Sequence, residues 1–569
     1  MTAVASVEVP APAPVSRASR PARVLLALLG LLFAYGALSL LDNPKGTLGT
    51  DTGGKLATVV TMDHRGTFDP NIGYWAERYD PTGRLHPLFY TSHIGDRWVN
   101  VTTLPMVVAA RPLYALGGAR AVLLLPMLGA VFAALAARAL ARRIGGGDGW
   151  WAFWVVGLAS PLTVYALDFW EHAPGVALAL WGGVFMYDVL DGRAGWRAAL
   201  ASGVLFGAAA TMRTEALVYA AVLGGVAAVV LVHRTVVRRS QTWGRNLQWG
   251  IAYAVGIAAA LVANQMLEQA LVGGAMRAER AAGTAGMAGG GASLRAREAV
   301  TTALGLNRFE FRTDWVFGAL IVALVAYAAV KFAATDRRDQ RLGMIAVGAA
   351  AVLYGLRFAN GLGFVPGVLS ASPLAAAGLA VGWSVRRWRG VGAVALLAVP
   401  VVWVFQFTGG ANPQWGGRYL LITGTLLVVG AAVVLPTLPR AARVALVALA
   451  VVVTASGVVW LSQRSHAVAS AMQTISRDDG SVLVSREAHL LREGGAFYSP
   501  DARWLTATTD GDLRRAATIA SDVHAPALRV VGIAGETFPA TIGGWTRGSR
   551  ERVEFLPGLD VVVVTYTGG

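Results

Sequence analysis

Residues 23–41 read RVLLALLGLLFAYGALSLL, an apolar run with one charge at its start and none after it. About 20 apolar residues is what a helix needs to cross a hydrocarbon core of roughly 30 Å. The run lacks a convincing small-residue cleavage site and many further apolar stretches follow it. It therefore reads as a membrane anchor and not as a removable signal. Comparable runs lie at 119–140, 150–169, 174–190, 196–212, 214–233, 247–271, 315–330, 342–356, 362–383, 391–407, 420–435 and 444–461. With the anchor, that makes about thirteen candidate spans.

Composition agrees with this count. The 569 residues are 55% hydrophobic and only 14% charged, and the mean hydropathy is +0.53. That is too apolar for a soluble chain of this length and fits a multi-span protein whose first partner is the lipid bilayer. The net charge of +16 does not point to nucleic acid, because the basic residues sit between apolar runs instead of gathering on one face. Cysteine is absent, which excludes disulfides, Cys-ligated zinc and thiol catalysis. Arginine carries nearly all the positive charge, with lysine only at Lys45, Lys55 and Lys331. Together with the Ala and Gly richness this composition suggests a GC-rich bacterial genome.

The basic clusters orient the chain. Arg138/Arg142/Arg143, Arg193/Arg197, Arg234/Arg238/Arg239/Arg245, Lys331/Arg337/Arg338/Arg341, Arg386/Arg387/Arg389 and Arg440/Arg443 all fall on the N-terminal side when the candidate spans are threaded in order. The positive-inside rule makes that side cytoplasmic. Residues 1–21, rich in Ala, Pro, Val and Ser, read as a disordered cytoplasmic tail. Residues 22–462 form the multi-span domain, with long external loops at 42–118 and 273–314. An odd number of spans places 463–569 outside, at a bacterial plasma (inner) membrane. Within 42–118, residues 104–116, with Pro105 and Pro112, suggest a short interfacial helix. The loop 273–314 is glycine-rich and reads as a plain tolerated loop ahead of a mobile lid over a site.

After about Arg464 the composition becomes that of a soluble domain. Strands are expected at 481–485, 504–508, 528–533 and 559–566, with helices at 487–493 and 511–523. The fold expectation is thus mainly α, a polytopic transmembrane helical bundle carrying a small C-terminal extracytoplasmic α/β domain. That domain shows no phosphate-cradling glycine fingerprint and no metal-ligand spacing. His489 and His524 read as structural or surface residues. The domain's expected role is to bind or orient an acceptor.

Four polar constellations fall at predicted outer ends of helices, where aqueous and lipid substrates can meet. Gly49-Thr-Asp51-Thr-Gly-Gly-Lys55 places a carboxylate just outside the anchor, where it could take a proton from a hydroxyl; the same residues also suit the start of a surface helix. Asp168-Phe-Trp-Glu171-His172-Ala-Pro174 offers two carboxylates and an imidazole for a base or for sugar hydroxyls, and equally suits an interfacial loop. Arg213-Thr-Glu215 is a candidate phosphate cation or a self-neutralising pair. In Gly409-Gly-Ala-Asn-Pro-Gln414-Trp415-Gly-Gly-Arg418-Tyr419-Leu420, the glycines let backbone approach a ligand. There Trp415 offers a ring face to a sugar and Arg418 a planar fork to a phosphate, although an external hairpin with a membrane-interface Trp has the same composition.

Taken in order across about residues 22–462, the anchor, Asp51, Phe169-Trp170-Glu171-His172, Arg213-Thr-Glu215 and Gln414-Trp415-Gly-Gly-Arg418-Tyr419-Leu420 resemble the GT-C superfamily of integral-membrane glycosyltransferases. The resemblance implies transfer of a sugar from a polyprenyl-phosphate carrier to an acceptor on the outer face, with inversion at the anomeric carbon. It implies Asp51 as the base, with Asp168 or Glu171 as a second acidic residue. His172, Arg213, Glu215, Gln414, Trp415, Arg418 and Tyr419 are then candidates for substrate binding. The acceptor would be an envelope glycan, lipid or protein. The triple-aromatic and double-Asp signatures of oligosaccharyltransferases are absent, which argues against that subgroup and against a required metal. No cofactor is expected, and a divalent metal is possible but not indicated.

The chemistry needs little more than this set. A phosphate leaving group departs without protonation if a cation stabilises it, so one carboxylate near the acceptor and an arginine near the phosphate suffice, unlike the carboxyl pair of most glycoside hydrolases. Two other readings share the same loops. One is a transporter or flippase of lipid-linked sugars, although neither an internal repeat nor ionisable residues in mid-span are visible. The other is a non-catalytic envelope scaffold.

Overall fold

The computed structural model describes residues 21–47, 49–239, 242–276, 279, 292–307, 312–359, 364–405, 414–477 and 479–568. The expected tail, the glycine-rich centre of the 273–314 loop, and Gly409 to Pro413 lie outside the described residues. Among those described, ten helices are long and apolar enough to cross a membrane: Pro21–Leu41, Leu124–Gly145, His172–Leu190, Glu215–Val236, Trp243–Val272, Trp315–Ala333, Arg337–Ala359, Arg386–Phe405, Arg418–Thr437 and Arg440–Ile475. The protein is a multi-pass helical membrane protein.

Three of the about thirteen expected spans are broken or shorter helices. Residues 150–169 break into Trp150–Leu158 and Leu162–Ala166, because Pro161 has no N–H to continue the first helix. Residues 362–383 contribute only the short apolar helix Pro373–Ser384, opened by Ser372, whose side chain accepts from the Ala375 N–H. Trp196–Met212 is a 17-residue helix that packs closely on Trp243–Val272. A Cβ on Gly203 would overlap the Tyr253 carbonyl, and one on Gly256 the Leu200 carbonyl. Small residues let helix backbones approach in this way inside a membrane.

Two features position the site. The helix Arg440–Ile475 has 36 residues and so is about 54 Å long. That exceeds a bilayer core of roughly 30 Å, so the helix carries its last turns past residue 463 into the C-terminal domain. Trp460 and Leu461 belong to the transmembrane core, while Val468, Met472 and Ile475 belong to the core of the domain. The expected boundary at 463 therefore falls within a continuous helix.

The second feature is that the first long loop and the C-terminal domain share one core. Ile72, Tyr74, Leu85, Leu88 and Trp98 are buried with Val482, Leu505, Leu528 and Val530. The loop contributes the helix Thr50–His64 and a hairpin of strands β1 (Thr91–Ile94) and β2 (Arg97–Asn100). The Thr506 amide donates to the Leu85 carbonyl at 2.9 Å, and Arg515 pairs with the fully buried Asp80 at 3.1 Å. Both regions hence lie on the same side of the bundle. The helix expected at 104–116 runs from Leu104 to Val122, with a kink at Gly117 and Gly118.

A small three-stranded sheet joins β3 (Leu306–Asn307), β4 (Arg312–Thr313) and β5 (Phe364–Val365). The C-terminal domain is a six-stranded sheet of β6 (Val482–Ser485), β7 (Trp504–Thr506), β8 (Leu528–Ile533), β9 (Thr541–Ile542), β10 (Trp545–Leu556) and β11 (Leu559–Thr567), in the order β7-β6-β8-β11-β10-β9. Strand β6 is parallel to β7 and β8, and the remaining pairs are antiparallel. All four expected strands are present. The sequence did not indicate β10, because its central residues, including Arg550, Glu551 and Arg552, are solvent-facing and break the apolar alternation that marks a strand.

Candidate active site

The helix Thr50–His64 starts at Gly49, in extended backbone, and places Asp51 in its first turn, where the helix dipole favours a carboxylate. Each oxygen of Asp51 meets a different guanidinium. Oδ2 accepts from Arg418 Nη1 at 3.3 Å and Oδ1 from Arg492 Nη1 at 3.2 Å. The Asp51 side chain remains 37% exposed, whereas Arg418 and Arg492 are 10% and 1% exposed. Burial alone would raise the Asp51 carboxyl. The charges of Arg492, then Arg418, outweigh it and hold the group well below the ordinary carboxylate range.

One turn further along the same helix, Lys55 is fully buried and pairs with Glu171. Glu171 also accepts from Arg213 Nη1 at 3.2 Å, and Arg213 Nε reaches Glu215 at 2.9 Å. Burial would raise the Glu171 carboxyl, but Lys55 and Arg213 outweigh it and bring it down to about 2. Glu171 is therefore locked as a counter-ion between two cations. Asp168 is also buried; its Oδ1 accepts from the Phe169 amide at 2.9 Å and its Oδ2 from Thr52 Oγ1 at 3.3 Å.

Aromatic rings wall this charge cluster. Tyr419 lies under both Arg418, at 4.7 Å, and Arg213, at 5.2 Å, and its hydroxyl accepts from Arg418 Nη2 at 3.1 Å. Arg418 and Lys55 sit 5.5 and 5.9 Å from the Trp170 ring, and His172 stacks on that ring at 4.3 Å. A Cβ on Gly49 would press against Trp170 and Gln414 Nε2 at 3.0 and 3.2 Å, which places Gln414 at the edge of the cluster and explains the glycine.

Of the residues singled out in the sequence, Asp51, Asp168, Glu171, His172, Arg213, Glu215, Gln414, Arg418 and Tyr419 thus converge on one locus. Trp415 does not present a face to a sugar there. It is fully buried, 5.8 Å from both Phe358 and Trp460 and packed on Gly457. Among the described residues no group of three or more His, Cys, Asp or Glu could hold a metal ion.

Two members were missed. Lys55 had a signal, being one of only three lysines in an arginine-rich chain and four residues after Asp51, on the same helix face. Arg492 had none, since it comes from a short helix 441 residues away in sequence.

No protein-family model matches the chain, and no curated protein does. Solved structures similar in arrangement include the following three. ArnT from Cupriavidus metallidurans bound to undecaprenyl phosphate is 14% identical, with a TM-score of 0.38, over 96% of this chain and 98% of that one. The same protein in the apo state gives 15% and 0.41 over 95% and 97%. The Archaeoglobus fulgidus oligosaccharyltransferase in the apo form gives 12% and 0.40 over 89% and 70%. At identities and TM-scores of this size the likeness carries no functional weight, and the case for chemistry rests on the cluster itself.

Proposed function

We propose that the protein is a membrane glycosyltransferase of the GT-C type. It would move a hexosyl or pentosyl group from a polyprenyl-phosphate donor to a hydroxyl of an extracytoplasmic acceptor, an envelope glycan, lipid or protein. The observation that carries this reading is Asp51, a carboxylate still 37% exposed, set beside an arginine, Arg418, that can take a phosphate. Glu171 and Asp168 are too buried to meet an acceptor, so they are assigned to the electrostatics of the site and not to proton transfer.

In the reaction the acceptor oxygen attacks the anomeric carbon from the face opposite the phosphate, which inverts that centre. The bond from the anomeric carbon to the phosphate oxygen breaks, and its electron pair leaves with the polyprenyl phosphate. The acceptor proton passes to Asp51. Arg418 holds the phosphate as its charge grows, with Arg213 and Lys55 close behind. Donor binding also prepares the base. A phosphate that draws Arg418 away from Asp51 removes a neighbouring positive charge, and the carboxylate becomes more basic. Deprotonation would contribute about 10²- to 10⁴-fold, with orientation and phosphate stabilisation supplying the rest.

The test is sugar transfer or hydrolysis by the purified chain, given polyprenyl-phosphate sugars as donors. A transporter or a scaffold would move or bind such lipids and leave the anomeric bond intact.

A further inference from the structure

We propose that Arg492 is the positioning residue for the Asp51 carboxylate, so that the base is assembled only when the C-terminal domain is docked on the first external loop. The proposal rests on the reading of Asp51 as the base. It goes beyond that reading by giving the C-terminal domain a part in the reaction centre in addition to any part in holding an acceptor.

The geometry is specific to this contact. Arg492 sits in the short helix Leu490–Glu493, which follows strand β6. Its Nη2 and Nε are held by Asn100 Oδ1 from strand β2 at 3.2 and 3.4 Å, and its guanidinium lies 5.3 Å from the Tyr90 ring. Tyr90 adopts a positive φ of 62°, a conformation that non-glycine residues use sparingly. The next residue, Glu493, accepts from Thr47 Oγ1 at 2.8 Å and from Arg464 Nη2 at 2.9 Å. Residues 492–495 therefore form a strap tied at its centre to the start of the loop and to the long helix.

The glycines of the Asp51 motif fit this strap. A Cβ on Gly53 would overlap the Arg492 carbonyl, one on Gly54 the Asn100 carboxamide, and one on Gly495 the Gly53 carbonyl. The Gly53-Gly54 pair thus admits the strap against the helix that carries the base.

The two guanidiniums then have separate tasks. Arg418 comes from the membrane domain and can leave Asp51 for a phosphate. Arg492 is fixed by Asn100 and the strap and cannot follow. Once Arg418 turns to the donor, Oδ2 of Asp51 is released toward the acceptor while Arg492 keeps Oδ1, and with it the plane of the carboxylate.

The absence of native cysteine allows a test that needs no substrate. Asp51→Cys in the full-length, detergent-purified chain provides a single thiol, and its alkylation by iodoacetamide, in which thiolate displaces iodide, reports the thiol pKa. The midpoint should lie below the roughly 8.5 of a free cysteine. Adding Arg492→Gln should raise it by about one pH unit or more, and Arg492→Lys, which keeps a cation, by less. Gly53→Ala should raise it with Arg492 still present, by lifting the strap, and serves where Arg492→Gln does not accumulate. A midpoint unmoved by these changes overturns the proposal. The outcome is separable from the base assignment. An Arg492-dependent midpoint together with full transfer by Asp51→Asn would keep the strap and remove the base, and the opposite pair of results would do the reverse.

Discussion

Asp51 and Arg418 are 367 residues apart in sequence, and their side chains meet at 3.3 Å. The pair brings the first long loop to the start of the span Arg418–Thr437, and joins the proposed base to the proposed phosphate-binding group.

Replacing Arg418 should separate these roles. Arg418→Ala should weaken binding of a polyprenyl phosphate at least tenfold, and Arg418→Lys should recover only part of it, because a point charge lacks the planar fork. Binding measured by displacement of a labelled polyprenyl phosphate checks this. Unchanged affinity in Arg418→Ala would move the phosphate site to Arg213.

Glu171 should prove structural in its effect. Glu171→Gln leaves Lys55 and Arg213 buried without their shared counter-charge, which should cost about 3 to 5 kcal/mol. Thermal unfolding in detergent should show a large drop, and pairing Glu171→Gln with Lys55→Met should restore part of it. A stability equal to that of the parent chain would refute the locked counter-ion.

Asp42 yields a pH prediction. It lies just after the anchor, and neither of its buried carboxyl oxygens has a hydrogen-bond partner among the described residues. Burial first, and then the charge of Asp168, push it up to about 7 against the opposing pull of Arg120. A carboxyl with a raised folded-state pKa favours folding while it stays protonated, and that benefit is lost as pH rises from about 4 to about 7. Asp42→Asn should therefore match the parent chain below about pH 4 and exceed it above about pH 7, by about 2 to 4 kcal/mol. Melting temperatures of both chains across this range decide it, and parallel curves would count against it.

How much of this was legible in the sequence depends on the range of the interactions. Apolar run length is local, so the ten long spans could be read directly, while the break before Pro161 and the late start of the helix after Ser372 could not. The outer-end motifs were visible because Asp, Glu and Arg are rare next to apolar runs. That they converge was not visible, since helix packing places Glu171 against Lys55 and Arg418 against Asp51. Trp415 had the composition of an exposed sugar platform, but its surroundings, Phe358, Trp460 and Gly457, come from three distant segments. Arg492 is one arginine in an arginine-rich chain, and only the docking of the domain distinguishes it.

The charge pattern predicts an external C-terminal domain, which can be tested on the same cysteine-free background. Thr518→Cys, on an exposed face of the helix Asp510–Asp522, should react with a membrane-impermeant maleimide in intact cells. Reaction only after the membrane is breached would place the C-terminal domain, and the site with it, on the cytoplasmic side.

Proton transfer from the acceptor to Asp51 is tested most directly by single-turnover transfer with Asp51→Asn. The amide keeps shape and hydrogen bonding and removes basicity. The transfer rate should fall by about 10²-fold or more while polyprenyl phosphate still binds and the chain stays folded. Asp63→Asn, about 18 Å further along the same helix, should change little. Near-parental transfer by Asp51→Asn, with loss in Asp168→Asn or in a folded Glu171→Gln, would contradict the account and move the base to the loop before the span His172–Leu190.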